Sequence, residues 1–155
     1  MATPRIQSFR AFWPYYLAEH RQPRSRVLHF FGTVTWLVLF GIAAHSTWQT
    51  DPTRLAIGLG TFTAALVIGF LLEPRHNPVV FVAIAIGGVL YTDPLRFGIA
   101  IVGAYAFAWV GHFVIEKNRP ATFSYPIWSL GGDHLMFFSM LVGRFWTGND
   151  MGGVE

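Results

Sequence analysis

Six histidines and no cysteine define what this chain can offer a metal ion. His112 and Glu116 stand four residues apart in Gly111-His112-Phe113-Val114-Ile115-Glu116-Lys117-Asn118-Arg119-Pro120. On an α-helix that spacing puts both side chains on one face, one turn apart. A neutral imidazole and a carboxylate so placed can share a cation. Without thiolates the ligands must be His, Asp, Glu or water, a set that suits iron, zinc, copper or nickel better than calcium. A mononuclear non-heme iron site needs two or three such ligands and open positions for substrate and oxygen. The plainer alternative is that Glu116 and Lys117 snorkel at a helix end and that the histidine is structural.

The elements that must position these residues read as membrane helices. The chain has 155 residues, enough for one domain, with 53% hydrophobic and only 12% charged residues. Its mean hydropathy is +0.43. A soluble domain typically carries about 25% charged residues, so the composition points to an integral membrane protein. We expect an all-α, multi-pass bundle of about four spans, at 27–48, 53–72, 78–92 and 95–116, the third of them short. Asp51-Pro52, Asn77-Pro78 and Asp93-Pro94 each pair an N-cap acceptor with proline at the first helical position and open an apolar run. An N-terminal helix over 4–19, begun at Thr3-Pro4, carries Ile6, Phe9, Phe12, Trp13, Tyr16 and Leu17 as a stripe for the membrane surface or for the protein body. Ser25 can cap the next helix. Residues 121–132 read as a loop, and Asp133 as the cap of a final interfacial helix over 133–146. Of the eleven basic residues, only Arg54 and Arg96 fall on one side of a four-span topology. The positive-inside rule then puts both termini in the cytoplasm.

That topology brings His20, His29, His112 and Glu116 to one depth, although the chain separates them widely. His45 lies 16 residues beyond His29, about 24 Å along a helix, and should not reach them. His76 and Asp133-His134 fall on the same side; they are weaker candidates for ligation, with Asp133 also able to orient an imidazole. Arg21, Arg24, Arg26, Lys117 and Arg119 form a basic rim able to hold lipid headgroups or a fatty-acid carboxylate, although the positive-inside rule alone accounts for such a rim. Trp109 and Tyr105 share the face of His112, as packing residues or as substrate contacts.

Two blocks carry a family resemblance. One is Phe12-Trp13-Pro14-Tyr15-Tyr16-Leu17-Ala18-Glu19-His20, running on to Val27-Leu28-His29 and Gly32; the other is Gly111-His112 through Pro120-Ala121. They resemble the small multi-pass 2-hydroxy fatty acid dioxygenase family, whose pattern is an aromatic pair, a His, a second His nine residues on, and far downstream Gly-His, Glu, a basic pair and Pro-Ala. The resemblance implies Fe(II) and O2 chemistry in fatty acid α-oxidation, with His20, His29 and His112 as iron ligands and Glu116 as a ligand or supporting group. Gln22-Pro23-Arg24, Ala108 and Asn118 depart from the pattern.

The resemblance therefore implies a membrane oxidoreductase that takes a 2-hydroxy fatty acid from the bilayer, with O2 as co-substrate, and the basic rim and indole then put Arg24, Arg26, Lys117, Arg119 and Trp109 near the substrate. No nucleic-acid partner is expected. The ratio of ten arginines to one lysine hints at a bacterial inner membrane; a eukaryotic member would sit in the endoplasmic reticulum. The rivals are a diiron-type lipid hydroxylase or desaturase, which needs more histidines in tight pairs, and a small transporter or scaffold, which needs polar residues at mid-membrane.

Overall fold

The computed structural model describes residues 4–148. Its elements are α1 (Phe9–Ala18), α2 (Pro23–Thr50), α3 (Pro52–Leu72), α4 (Val79–Thr92), α5 (Pro94–Trp109), a π-helix (Val110–Glu116), a 3-10 turn (Ala121–Phe123) and α6 (Pro126–Leu141). No strand occurs among the described residues. Three continuous helices are long and apolar enough to cross a bilayer: Pro23–Thr50, Pro52–Leu72 and Pro94–Glu116. The fourth, Val79–Thr92, has 14 residues. At 1.5 Å per residue it covers about 21 Å of a hydrocarbon core of about 30 Å. Large apolar side chains such as Val38, Ile57, Val67 and Val102 stay exposed along these helices, as lipid contact requires. The protein is a helical membrane bundle.

Asp51 and Asp93 begin α3 and α5 by accepting the backbone N–H of Arg54 and of Arg96, each at 2.9 Å. These tight caps reverse the chain within a residue or two, so successive helices run up and down. The helices then associate as two intimate pairs, α2 with α5 and α3 with α4. Gly58 and Gly88 bring the α3 and α4 backbones together. A Cβ on Gly58 would lie 2.6 Å from the Gly88 carbonyl oxygen and 1.9 Å from Thr92 Oγ1, so only glycine fits this crossing. Gly32 does the same for α2 against Ala104 of α5.

Helices α1 and α6 cover one end of the bundle. Helix α1 starts at Phe9, capped by Ser8, rather than at Pro4. The residues before it put their polar groups to other use: the Arg5 guanidinium donates to the carbonyls of Glu73 and Ser124, and the Ile6 N–H donates to Tyr125 Oη. The aromatic stripe of α1 faces protein, with Phe12 and Tyr16 buried against Trp128, Met136 and Met140. Thr3, the other half of the expected cap, lies outside the described residues.

Helix α6 also begins before its sequence-based start. Pro126 opens it, and its cap comes from another helix: Glu73 Oε2 accepts the N–H groups of Ile127 and Trp128, each at 3.1 Å. Gly131-Gly132 reads as a loop signal in sequence, yet both residues are helical. A Cβ on Gly132 would meet the Tyr16 ring at 2.8 Å, so glycine here answers to packing and not to a turn. Asp133 is therefore mid-helix and caps nothing. Ser25 does not cap α2 either; Gln22 occupies that position and Ser25 is buried within the helix.

Candidate metal centre

His20, His29 and His112 meet beneath this cover. One ligand atom from each lies within 4.8 Å of the other two, and the ring centroids are 4.4, 4.6 and 5.1 Å apart. All three side chains are buried. His20 sits in the link between α1 and α2, His29 one and a half turns into α2, and His112 in the π-helix. The sequence predicts α-helix through residue 116, but the chain changes to π geometry at Val110. Such wide turns recur at functional sites because they re-aim a side chain. Gly111 lets this turn lie close to α2: a Cβ there would stand 3.0 Å from Ser25 Oγ and 3.5 Å from the His29 ring.

Each imidazole has its Nδ1 tied to a different acceptor. His20 Nδ1 donates to the Tyr16 carbonyl at 2.7 Å, one helical turn back. His29 Nδ1 donates to Asp133 Oδ1 at 2.7 Å. His112 Nδ1 donates to Asn118 Oδ1 at 2.8 Å. The Asn118 amide is oriented in turn, since its Nδ2 donates to the carbonyl and carboxylate of Glu19 at 2.8 and 2.6 Å. With every Nδ1 acting as donor, the neutral tautomer leaves each Nε2 with a free lone pair. Nε2 of His20 and Nε2 of His29 are fully buried with no hydrogen-bond partner among the described residues. Buried polar atoms rarely go unsatisfied, and three convergent imidazole nitrogens with supported second nitrogens are the pattern of a metal site. The three histidines could hold a metal ion.

Electrostatics favours the same state. Burial, together with the two neighbouring imidazoles, holds the His20 pKa well below its ordinary range, so the ring is neutral and able to ligate. Burial alone would raise the Asp133 carboxyl, but the electrostatic pull and hydrogen bond of the His29 N–H outweigh it, with help from His20 and Tyr16, and bring it down to about 2. Asp133 therefore stands as a carboxylate, accepting from His29 and from the Tyr16 hydroxyl.

Other predicted residues are placed differently. Glu116 is outside the trio; its Oε1 accepts the Gln22 N–H at 2.8 Å and so ties the π-helix to the start of α2. Arg26 is fully buried and donates to the carbonyls of His20, Arg21, Phe145 and Thr147 at 2.6–2.9 Å, which engages it structurally rather than with a ligand. Arg24 and Lys117 are exposed, and Arg119 lies over the Phe123 ring at 4.9 Å. His45 and His76 are exposed and away from the cluster. His134 donates Nδ1 to the Leu130 carbonyl at 2.8 Å.

Sequence reasoning passed over Tyr16, Asn118 and Glu19 as supports. Asn118 read only as an interruption of a basic pair. Its position depends on Lys117 adopting a left-handed conformation, φ 56°, which turns the chain back toward His112. The one available signal was Tyr16, a helical turn before His20.

Below the histidines lies a cavity of about 350 Å³ between the two helix pairs. His29, His112, Asp133 and His134 line its head, Trp109 and Tyr105 its side, and largely apolar residues of α2 to α5, of the 3-10 turn and of the start of α6 the rest. No Arg or Lys lines it among the described residues. The volume falls at the small end of ligand pockets, about 300–1,000 Å³.

No curated protein and no solved structure matches the chain. A family model does match, over residues 6–145, and its description is 2-hydroxy-palmitic acid dioxygenase Mpo1-like. That match runs from the strand of chain before α1 to the last turns beyond α6 and includes all three clustered histidines, so the chain belongs to the Mpo1-like family.

Proposed function

We propose that His20, His29 and His112 hold one Fe(II) through their Nε2 atoms and that the protein shortens 2-hydroxy fatty acids by one carbon, with O2 as oxidant. The observation that carries this reading is the pairing of three convergent imidazoles, two with a buried, unpartnered Nε2, with an apolar cavity that opens directly beneath them. The family description supports the substrate class. Iron would supply the one-electron chemistry by which oxygen reacts with a closed-shell organic acid. The balanced reaction is a 2-hydroxy acid plus O2 giving the acid one carbon shorter, CO2 and water.

The residues of the chain do the rest. Asp133 and Tyr16 fix the tautomer and ring plane of His29; Asn118 does so for His112 and the Tyr16 carbonyl for His20. The apolar wall receives the acyl chain and excludes water, which keeps reactive species from being quenched. An anionic head buried in this cavity meets no Lys or Arg. Burying an unpaired carboxylate is costly, so the acid group belongs at the histidine end, where the cation would be. Trp109 flanks that end. Arg24, Lys117 and Arg119 are exposed near it and suit anionic headgroups at the membrane surface. With these charges on the cytoplasmic side, both termini are cytoplasmic and the substrate arrives from the inner leaflet.

A single metal is favoured over a diiron pair because one cluster of three ligands is present among the described residues. The test is purified protein reconstituted with Fe(II), given 2-hydroxypalmitate and oxygen. Pentadecanoate and CO2, one iron per chain, and loss of both on His29→Ala are the expected results. Turnover by protein stripped of metal, or by a chain lacking His29, would overturn the assignment.

A further inference from the structure

We infer that the α4–α5 side of the cavity is a chain-length gauge, set by Ala85, Val89 and Ile101. This rests on the reading that a fatty acyl chain occupies the cavity. Trp36, Phe62, Val89 and Ile101 have two roles at once. They line the cavity, and they pack into the apolar cluster around Ala43 and Phe97 that fills the opposite half of the bundle. On the Val89 and Ile101 side the cavity is therefore backed by packed core, whereas Trp36 and Phe62 also border a neighbouring apolar cavity that reaches Phe40 and Val67.

The Val89 side cannot retreat easily. Directly behind Val89 the α3 and α4 backbones touch at Gly58 and Gly88, where a Cβ on Gly88 would stand 2.7 Å from the Gly58 carbonyl and 3.0 Å from the Phe62 N–H nitrogen. Backbone against backbone leaves no side chain to swing aside. Nearer the histidines, α4 presents Ala85, buried and small, where a longer side chain would cross the space. The depth follows from helix rise: seven residues from His29 to Trp36 and eleven from His112 to Ile101 give about 10 to 16 Å.

The gauge works through exclusion. The acyl chain leaves lipid and not water, so a methylene that fits the apolar cavity gains little over the bilayer. A tail longer than the space before Val89 and Ile101 must bend or displace the core, and overpacking is costly. Ile101→Ala lengthens the space and should move the optimum to acids at least two carbons longer. Ala85→Leu shortens it and should move the optimum the other way, with acids that overrun the shortened space weakened by about fivefold or more.

The experiment measures displacement of a fluorescent fatty acid from iron-loaded protein in nanodiscs by 2-hydroxy acids of 10 to 20 carbons. Affinities are taken as ratios of variant to wild type, which cancels partition of each acid into lipid. Opposite shifts in the two variants are the expected result. Superimposable profiles in folded wild type, Ile101→Ala and Ala85→Leu would overturn the gauge while leaving the catalytic reading intact. If Ala85→Leu does not fold, Ile101→Ala against wild type decides alone. Failure of every acid to displace the probe from wild type would overturn the substrate reading itself, and the gauge with it.

Discussion

Asp133→Asn is the most informative single change, because it alters charge at one atom and little else. Asp133 Oδ1 accepts from His29 Nδ1 at 2.7 Å and also from the Tyr16 hydroxyl. Asparagine is isosteric and its Oδ1 can still accept, so the fold and the His29 tautomer survive. Two things are lost. The His29 bond ceases to be charge-assisted, and such bonds are roughly twice as strong as neutral ones. The ring is also less basic without an anion behind it, and a ligating imidazole depends on that. Removing such a supporting partner typically costs 10–100-fold in metal affinity, or about 1.4–2.7 kcal/mol. Stripped protein is titrated with Fe(II) anaerobically against a chromophoric chelator at one pH. A second readout is the metal-dependent rise in melting temperature. Metal at 100 times its Kd should stabilise wild type by about 2.7 kcal/mol, and the same concentration should stabilise the variant by about half that or less. If Asp133→Asn binds metal within twofold of wild type while His29→Ala has lost it, the carboxylate does not tune the site and its role is only to satisfy Tyr16.

Three further outcomes follow from the packing. Burial raises the Glu73 carboxyl from the ordinary 4.5 to about 7, against the pull of the Trp128 and Ile127 N–H groups and of Arg5. The native state therefore holds this proton more tightly than the unfolded chain does, and stability must fall as pH rises from 4.5 to 7, by about 3 kcal/mol at most. Glu73→Gln keeps an acceptor for α6 and removes the charge, so its unfolding midpoint in detergent should lose that slope; curves parallel to wild type would refute the assignment. Gly132→Ala forces a Cβ to within 2.8 Å of the Tyr16 ring and should destabilise by about 1–3 kcal/mol, with weaker metal binding measured alongside because Tyr16 supports Asp133. Arg26→Met strips four carbonyls of their donor, two of them, on His20 and Phe145, in buried residues, and should cost about 2–5 kcal/mol in denaturation, whereas the exposed Arg24→Ala should stay within about 0.5 kcal/mol. Equal stability of those two variants would contradict the structural role given to Arg26.

What the sequence made legible was whatever depends on local rules or on composition. Apolar runs bounded by Asx-Pro pairs announce helices, and the expected caps are borne out at Asp51 and Asp93 but not at Asn77, where Pro78 precedes the helix, no side chain caps it, and the Asn77 amide donates instead to the Phe123 carbonyl. Shared depth brought His20, His29 and His112 into one group because helix rise converts residue number into height. Rotation about the helix axis is harder to read, and it decides which neighbour a side chain meets. Glu116 was paired with His112 by α-helical spacing, but the chain is a π-helix there and the carboxylate turns to Gln22. Arg26 looks like a member of a basic rim until α2 is placed against the C-terminal segment. Gly131-Gly132 and Asp133 carry the ordinary signals of a loop and a cap. Those signals are overridden by tertiary contacts, since the glycines make room for Phe9 and Tyr16 and the cap is supplied by Glu73, far away in sequence.

The arrangement of supports around the histidines has a consequence for how the site forms. The three rings come from three separate elements, and two are held by acceptors on others: His29 of α2 by Asp133 of α6, and His112 by Asn118, which is anchored to Glu19 at the end of α1. Only the bond from His20 to Tyr16 is local. A metal-ready set of nitrogens therefore does not exist until α1 and α6 have closed over the bundle, and the closure itself depends on Glu73 and Arg5 at α6 and on Arg26 at the C-terminal segment. Without a cation, closure leaves two buried nitrogens with no partner, a cost of about 1–3 kcal/mol each. A cation removes that cost. A cation held by the trio would therefore be coupled to closure of the α1–α6 cover and would stabilise the cover that shields the cavity from water.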